Sequence, residues 1–147
     1  MTLSREIGTG IRVLTARILE RRKPFFVQLA PTSMCNLNCR YCFAQFHERE
    51  KRFFPYPQLK KVVKGLAELG TRFIMLTGGE PMMYPEIIPL IRKQKKKNIE
   101  CLLNTNGILV LDKIDDLEGV DIYSISLDGP RELNDYYRGK GVYDKVI

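Results

Sequence analysis

Short apolar runs alternate along this chain with longer stretches in which apolar residues recur every three or four positions. The runs cover residues 24–30, 72–76, 100–104 and 120–127. Short apolar runs of this kind, separated by polar and turn-forming residues, are typical of buried β-strands. The pattern therefore predicts four strands.

The longer stretches predict helices between the strands. The clearest lies between Pro57 and Gly70, where leucines and valines recur at helical spacing. Further helices are expected near residues 87–97 and 111–117, and the last five residues, YDKVI, look like the start of another. A helix over residues 4–22 is predicted before the first strand. The order is one helix followed by four β–α units, the last of them cut short.

Strands that alternate with helices form a parallel sheet with right-handed crossovers. The predicted fold class is α/β, with an N-terminal helical extension over residues 1–23 and one core domain over residues 24–147. In such a sheet the carboxyl ends of the strands carry the chemistry. Four polar clusters follow the predicted strands in chain order, and all of them should lie on that rim: CNLNCRYC, TGGEP, NTNG and SLDGP.

Composition and charge narrow the function classes. The 147 residues include 24 Lys and Arg against 17 Asp and Glu, a net charge of +7. Much of the excess lies in RKQKKK, which has no interleaved aromatic residues, so we read it as a solvated helix end and expect no nucleic-acid partner. No apolar stretch is long enough to span a membrane, and no secretory signal is visible. Four cysteines without export favour a reducing, cytoplasmic compartment.

Three of the four cysteines, Cys35, Cys39 and Cys42, are separated by only three and then two residues. Clustered thiolates are soft ligands that suit zinc or iron–sulfur clusters. A fourth ligand is not obvious, because Cys101 lies in an apolar strand, where a buried thiol is expected, and His47 lies in a charged, surface-like stretch. Three protein ligands leave one metal position open, as a catalytic metal requires.

The sequence CNLNCRYC resembles the C-x-x-x-C-x-x-C signature of the radical S-adenosylmethionine (SAM) superfamily, including the aromatic Tyr41 before the last cysteine. The following TGGEP strengthens this resemblance, which extends from about residue 25 to the end of the chain. It implies a partial TIM-type (β/α) barrel in which Cys35, Cys39 and Cys42 hold a [4Fe–4S] cluster. The open iron of the cluster would bind SAM. Reductive cleavage of SAM would then yield a 5′-deoxyadenosyl radical that takes hydrogen from the substrate.

The resemblance also implies SAM contacts along the rim. Gly78 and Gly79 would let the backbone approach the ligand, and Glu80 would accept a hydrogen bond from the SAM ammonium. The alternative is a generic turn in which Glu80 is only an acid at a helix start. The complete set of expected cofactor-binding residues is Tyr41, Gly78, Gly79, Glu80, Asn104, Thr105 and Ser126.

The resemblance leaves several points open. About four of the usual six βα units are present, so either the chain is part of a longer enzyme, which we favour, or another chain supplies the missing wall. The exposed last strand could then self-associate. The expected partners are a peptide or cofactor-precursor substrate and a reductant such as flavodoxin or ferredoxin. The alternatives are a non-catalytic zinc or iron–sulfur module, and a truncated core that is inactive on its own.

Overall fold

The computed structural model describes residues 23–46, 48 and 50–147. The helix predicted over residues 4–22 and the side chain of His47 lie outside these residues, so the predicted boundary after residue 23 stays a prediction. The described strands are β1 (Phe26–Leu29), β2 (Phe73–Leu76), β3 (Glu100–Thr105) and β4 (Ile122–Ile125). The described α-helices are α1 (Tyr56–Leu69), α2 (Ile87–Lys95), α3 (Val110–Lys113), α4 (Arg131–Arg138) and α5 (Tyr143–Val146).

The four strands form one sheet in the order β1-β2-β3-β4, and every neighbouring pair is parallel. The predicted α/β fold with four parallel strands is therefore confirmed. The strand ends lie within two residues of the predicted ones: β1 begins at Phe26, two residues late, and β4 runs from Ile122 to Ile125, two residues short at each end. The turn residues of SLDGP explain the early end of β4, because Gly129 has a positive φ of 125° and Pro130 cannot continue a ladder.

One face of the sheet packs against the helices. Alternate strand residues point to opposite faces, and those on the helix side, such as Ile74, Leu76 and Leu103, are fully buried. Cys101 belongs to the same face and is 0% exposed, as predicted for a core thiol. The helices contribute the other half of this core through Leu59, Val63, Ile87, Leu90 and Ile91.

The opposite face of the sheet remains more open in the described part of the chain. Met75 and Leu102 are paired in register there and are only partly buried. The same row continues outward to Gln28 on β1 and Ile122 on β4, which are both exposed. The sheet therefore has a packed side and an accessible side.

Helix α1 shows how the sequence sets the element boundaries. It starts next to Pro57 and ends at Gly70, whose φ of 87° allows its N–H to donate to the carbonyl of Ala67. Glycine adopts this left-handed conformation without the strain that a Cβ atom causes, so it makes an efficient helix stop. Leu59 and Val63, one turn apart, are the residues that this helix buries.

Two elements differ from the expectation. The helix predicted over residues 111–117 is a single turn, α3, followed by a 3-10 turn at Ile114–Asp116. Helix α4 was not predicted, because the residues that it buries, Asn134 and Arg138, are polar and give no apolar periodicity. No helix in the described ranges is both long enough and apolar enough to cross a bilayer.

Candidate metal and cofactor site

The loops that follow β1 and β2 are joined through their backbones. The N–H of Gly79 donates to the carbonyl of Thr32 (3.1 Å), and the N–H of Glu80 donates to the carbonyl of Met34 (2.6 Å). A Cβ atom on Gly78 would lie 2.5 Å from the Thr32 oxygen, and one on Gly79 would lie 2.1 Å from the Met34 oxygen. The two glycines are therefore required here for close packing against the cysteine loop. Gly78 also has a positive φ of 120°, whereas Gly79 is not among the glycines with a positive φ.

Glu80 connects the β2 loop to the β3 loop. Its side chain is buried, and its two oxygens accept hydrogen bonds from the N–H of Met82 (3.0 Å), the hydroxyl of Thr105 (2.8 Å) and the N–H of Asn106 (2.8 Å). Burial raises the pKa of Glu80, while these bonds and the charge of Lys113 act in the opposite direction. A direct bond from Glu80 to the SAM ammonium stays a prediction.

The β3 loop supports the cysteine loop from the other side. The side-chain amide of Asn106 donates to the side-chain oxygen of Asn36, which lies directly after Cys35, at 2.7 Å. Asn104 is partly buried and donates to the Thr77 hydroxyl at 3.4 Å. Sequence reasoning missed the Asn36–Asn106 bridge, because two asparagines 70 positions apart carry no pairing signal.

The three clustered cysteines are free thiols with partly exposed side chains at this rim. Burial raises the pKa of the Cys35 and Cys39 thiols, and the negative charges of the neighbouring thiolates raise it further. The N–H of Leu37 donates to the Cys35 sulfur at 3.5 Å and so favours its anionic form. The loop thus presents three soft ligands from one short segment.

The three thiols do not by themselves form a single-ion site among the described residues. Among the residues that the structure describes, no three His, Cys, Asp or Glu side chains are grouped closely enough to bind one metal ion. A structural zinc draws each sulfur to about 2.3 Å from one centre. Thiolates that bind separate irons of a larger cluster need not converge on one point in this way.

Tyr41, Asp128 and Arg138 form a hydrogen-bonded group, called here the Tyr41–Asp128–Arg138 triad. The Tyr41 hydroxyl donates to Asp128 Oδ2 at 2.7 Å, and Arg138 donates to the Tyr41 oxygen and to Asp128 Oδ1. The Arg138 Nε also lies 2.7 Å from Asp128 Oδ2, as an ion pair without good hydrogen-bond alignment.

The triad changes the acidity of its members. Burial and then the bond to Asp128 raise the pKa of Tyr41 to about 12. Burial alone would raise the pKa of Asp128, but the bonds from Arg138 and Tyr41 outweigh it and hold the pKa below its usual value. Asp128 is therefore an anion bonded by Arg138 and Tyr41, whereas Ser126, two residues earlier in the chain, is partly buried.

The structure brings the sequence-predicted site residues to one rim. Cys101 lies on the helix-facing side of β3 and is separate from them. Two of the predicted cofactor-binding side chains, Glu80 and Thr105, are almost fully buried and bonded to each other. Tyr41, Asn104 and Ser126 keep part of their surface accessible.

The family model described as the Radical SAM superfamily matches residues 29–147. The chain is 33% identical over 122 residues to an Fe-coproporphyrin III synthase of Methanosarcina barkeri, a match that covers 79% of this chain and 30% of that protein. It is 32% identical over 124 residues to a probable GTP 3′,8-cyclase of Pyrococcus horikoshii, covering 82% of this chain and 40% of that protein. The chain thus spans about a third of the length of these relatives.

The fold is similar to that of SuiB of Streptococcus suis, solved with bound S-adenosylmethionine. The superposition has a TM-score of 0.73 at 21% identity and covers 97% of this chain and 35% of SuiB. SuiB has also been solved with its precursor peptide SuiA. The four parallel strands thus match a partial TIM-type barrel. Because the family model extends from the end of β1 to the last residue, the chain belongs to the radical SAM superfamily.

Proposed function

We propose that this chain is the cluster- and SAM-binding core of a radical SAM enzyme. The observation that carries the proposal is the backbone joining of two loops: the segment with three free thiols is bonded to the Gly78–Gly79–Glu80 segment. A ligand bound at the cysteine loop would therefore lie next to the glycine backbone. The family match supports the same assignment.

Cys35, Cys39 and Cys42 are proposed to hold a [4Fe–4S] cluster, with its fourth iron left to SAM. When bound, the cluster supplies the electron that cleaves the SAM sulfonium, giving methionine and a 5′-deoxyadenosyl radical for hydrogen abstraction from the substrate. The protein groups around it bind, orient and shield these reactants. Cys101 is too deeply buried on the other side of the sheet to serve as a ligand.

The rim residues have separate proposed roles in SAM binding. The backbone at Gly78 and Gly79 offers close approach for the methionyl part of SAM, and the bond between Glu80 and Thr105 anchors the residue that follows these glycines. Asn104 and Ser126 keep part of their polar side chains accessible, so we assign them direct contacts with SAM. Tyr41 would border the cluster from the segment between its last two ligands.

The substrate is proposed to bind against the accessible face of the sheet, next to Met75 and Leu102. A peptide or a cofactor precursor is the proposed substrate class. The two relatives named above share this domain but carry the names of different activities, on a porphyrin and on a nucleotide. The substrate is therefore not determined by the shared residues. A flavodoxin or ferredoxin is the proposed electron donor, and a reducing cytoplasmic compartment suits the free thiols.

Anaerobic reconstitution of the chain with iron and sulfide tests the proposal. We expect about four irons and four sulfides per chain, an EPR signal after reduction that changes when SAM is added, and 5′-deoxyadenosine as a product. Cys35→Ala, Cys39→Ala and Cys42→Ala should each lose the cluster. The matched control, Cys101→Ala, should retain it, because this thiol lies in the core.

Three results would contradict the proposal. The first is a chain purified without oxygen that contains one zinc and no sulfide. The second is loss of the cluster in Cys101→Ala, which would place a fourth protein ligand at the iron assigned to SAM. The third is a loaded cluster whose EPR signal does not change with SAM, which would indicate an electron-transfer module.

A further inference from the structure

Helix α4 holds the two residues that separate the last two cysteines of the loop. The backbone N–H of Arg40 donates to the carbonyl of Tyr137 at 2.9 Å, and the Arg40 guanidinium lies 4.2 Å from the centre of the Tyr136 ring. The Tyr41 and Tyr137 rings meet edge-on with their centres 5.6 Å apart. The segment between these cysteines is thus fixed to a helix through backbone, cation–π and aromatic contacts.

Arg138 completes this attachment at the C-terminal end of α4. Its side chain is 10% exposed and binds both the Tyr41 hydroxyl and the Asp128 carboxylate. The backbone N–H of Asp128 in turn donates to the side-chain oxygen of Asn134, so the acceptor is itself held by the helix. Buried ion pairs contribute little net stability, so stability alone does not explain a guanidinium at this place.

The charge of Arg138 lies close to the cysteine loop. Its guanidinium carbon is 5.6 Å from the centre of the Tyr41 ring, and Tyr41 directly precedes Cys42 in the chain. A guanidinium stays protonated at every relevant pH, so this positive charge is permanent. A positive charge beside a cluster favours the more negative, reduced state of that cluster.

We propose that Arg138 is a positioning residue for the cluster: it fixes the loop through Tyr41, and its charge makes the cluster easier to reduce. This inference rests on the proposed function. The redox step is the entry of one electron from an external donor, and it makes or breaks no bond at Arg138.

The test compares the reconstituted 147-residue chain with four variants, each of which carries one substitution. Arg138→Gln removes the charge. Arg138→Lys keeps the charge but loses the planar guanidinium with its several N–H donors, and Tyr41→Phe removes only the hydroxyl. Arg131→Gln is the matched control, because it makes the same change on the same helix at a side chain that is 51% exposed and pairs with Asp144. The measurements are the iron and sulfide content, the midpoint potential from an EPR-monitored titration with dithionite, and the rate of iron loss to a chelator.

We expect Arg138→Gln to shift the midpoint potential to more negative values and to lose iron roughly tenfold faster, as removal of an outer-sphere contact does elsewhere. Arg138→Lys should keep the potential and share the faster iron loss. Tyr41→Phe should also lose iron faster, and Arg131→Gln should match the unsubstituted chain. Circular dichroism checks that each variant is folded.

The outcomes separate this inference from the proposed function. If the unsubstituted chain assembles no iron–sulfur cluster, the proposed function fails. If that chain loads and Arg138→Gln has the same potential and iron-loss rate, only the inference is overturned. If Arg138→Gln does not fold, Tyr41→Phe decides, since an unchanged rate of iron loss there would equally overturn the role of the triad.

Discussion

At the residue scale, Gly78 and Gly79 after β2 are needed for contact between two loops of the protein, and not only for the approach of a ligand. Their missing Cβ atoms leave room for the carbonyl oxygens of Thr32 and Met34 in the cysteine loop. The approach is close enough that any side chain at Gly79 must displace backbone. The geometry of the cysteine loop therefore depends on a residue far from it in sequence.

Gly79→Ala tests this dependence. A methyl group 2.1 Å from the Met34 oxygen must push the two loops apart. We expect a loss of about 1–3 kcal/mol in the free energy of unfolding, measured by urea titration, together with weaker cluster loading. The matched control is Gly65→Ala within α1, where a Cβ meets no atom within 4 Å. The higher helix propensity of alanine should raise the free energy of unfolding there by at most about 1 kcal/mol. Equal effects of the two substitutions would show that the loops are not tightly packed.

At the element scale, α4 differs from the other longer helices because the residues that it buries are polar. Apolar alternation predicted four strands and the helix from Pro57 to Gly70, since those elements bury apolar side chains in one core. The cysteine spacing and TGGEP identified the rim loops. Helix α4 could not be found in this way, because its interior contacts are the hydrogen bonds of Asn134 and Arg138. The triad was missed for the same reason.

The ion pair between Arg138 on α4 and Asp128 predicts that the free energy of unfolding depends on pH. The folded-state pKa of Asp128 lies below its unfolded value of 3.8, so the folded chain binds fewer protons in this range. The contribution of Asp128 is thus present above about pH 4 and is lost as the pH falls through the folded-state pKa. The charged and titratable groups in contact with it are Arg138 and Tyr41.

Asp128→Asn should therefore lower the free energy of unfolding at pH 7 by about 1–3 kcal/mol, because Arg138 loses its partner. The difference from the unsubstituted apo-chain should shrink as the pH is lowered below 4. The matched control is Asp144→Asn, which removes an exposed partner of Arg131 and should change stability by less than about 0.5 kcal/mol. A difference for Asp128→Asn that stays constant with pH would show that the carboxylate is not the cause.

At the scale of the whole molecule, β4 is the least covered strand. All four of its residues are exposed, and its outer edge has no paired strand among the described residues. An apolar strand with free backbone groups is a template for pairing with another chain.

We predict that the isolated chain self-associates through β4 as its concentration rises. Tyr123→Lys, at a side chain that is 37% exposed, should reduce this association, because a charge on an edge strand disfavours pairing. Tyr123→Phe is the matched control and should associate as the unsubstituted chain does. Sedimentation velocity over a range of concentrations measures the effect, and a chain that stays monomeric throughout would contradict the prediction.

The two unequal sides of the sheet have a further consequence. The residues that keep the strands together lie with the helices, and those on the accessible side, such as Met75 and Leu102, add comparatively little to that core. Side chains on the accessible side can therefore be exchanged with small loss of folding energy. Substitutions on this face can therefore change the substrate while the fold is kept, as long as the cysteine loop and the rim residues bonded to it are unchanged.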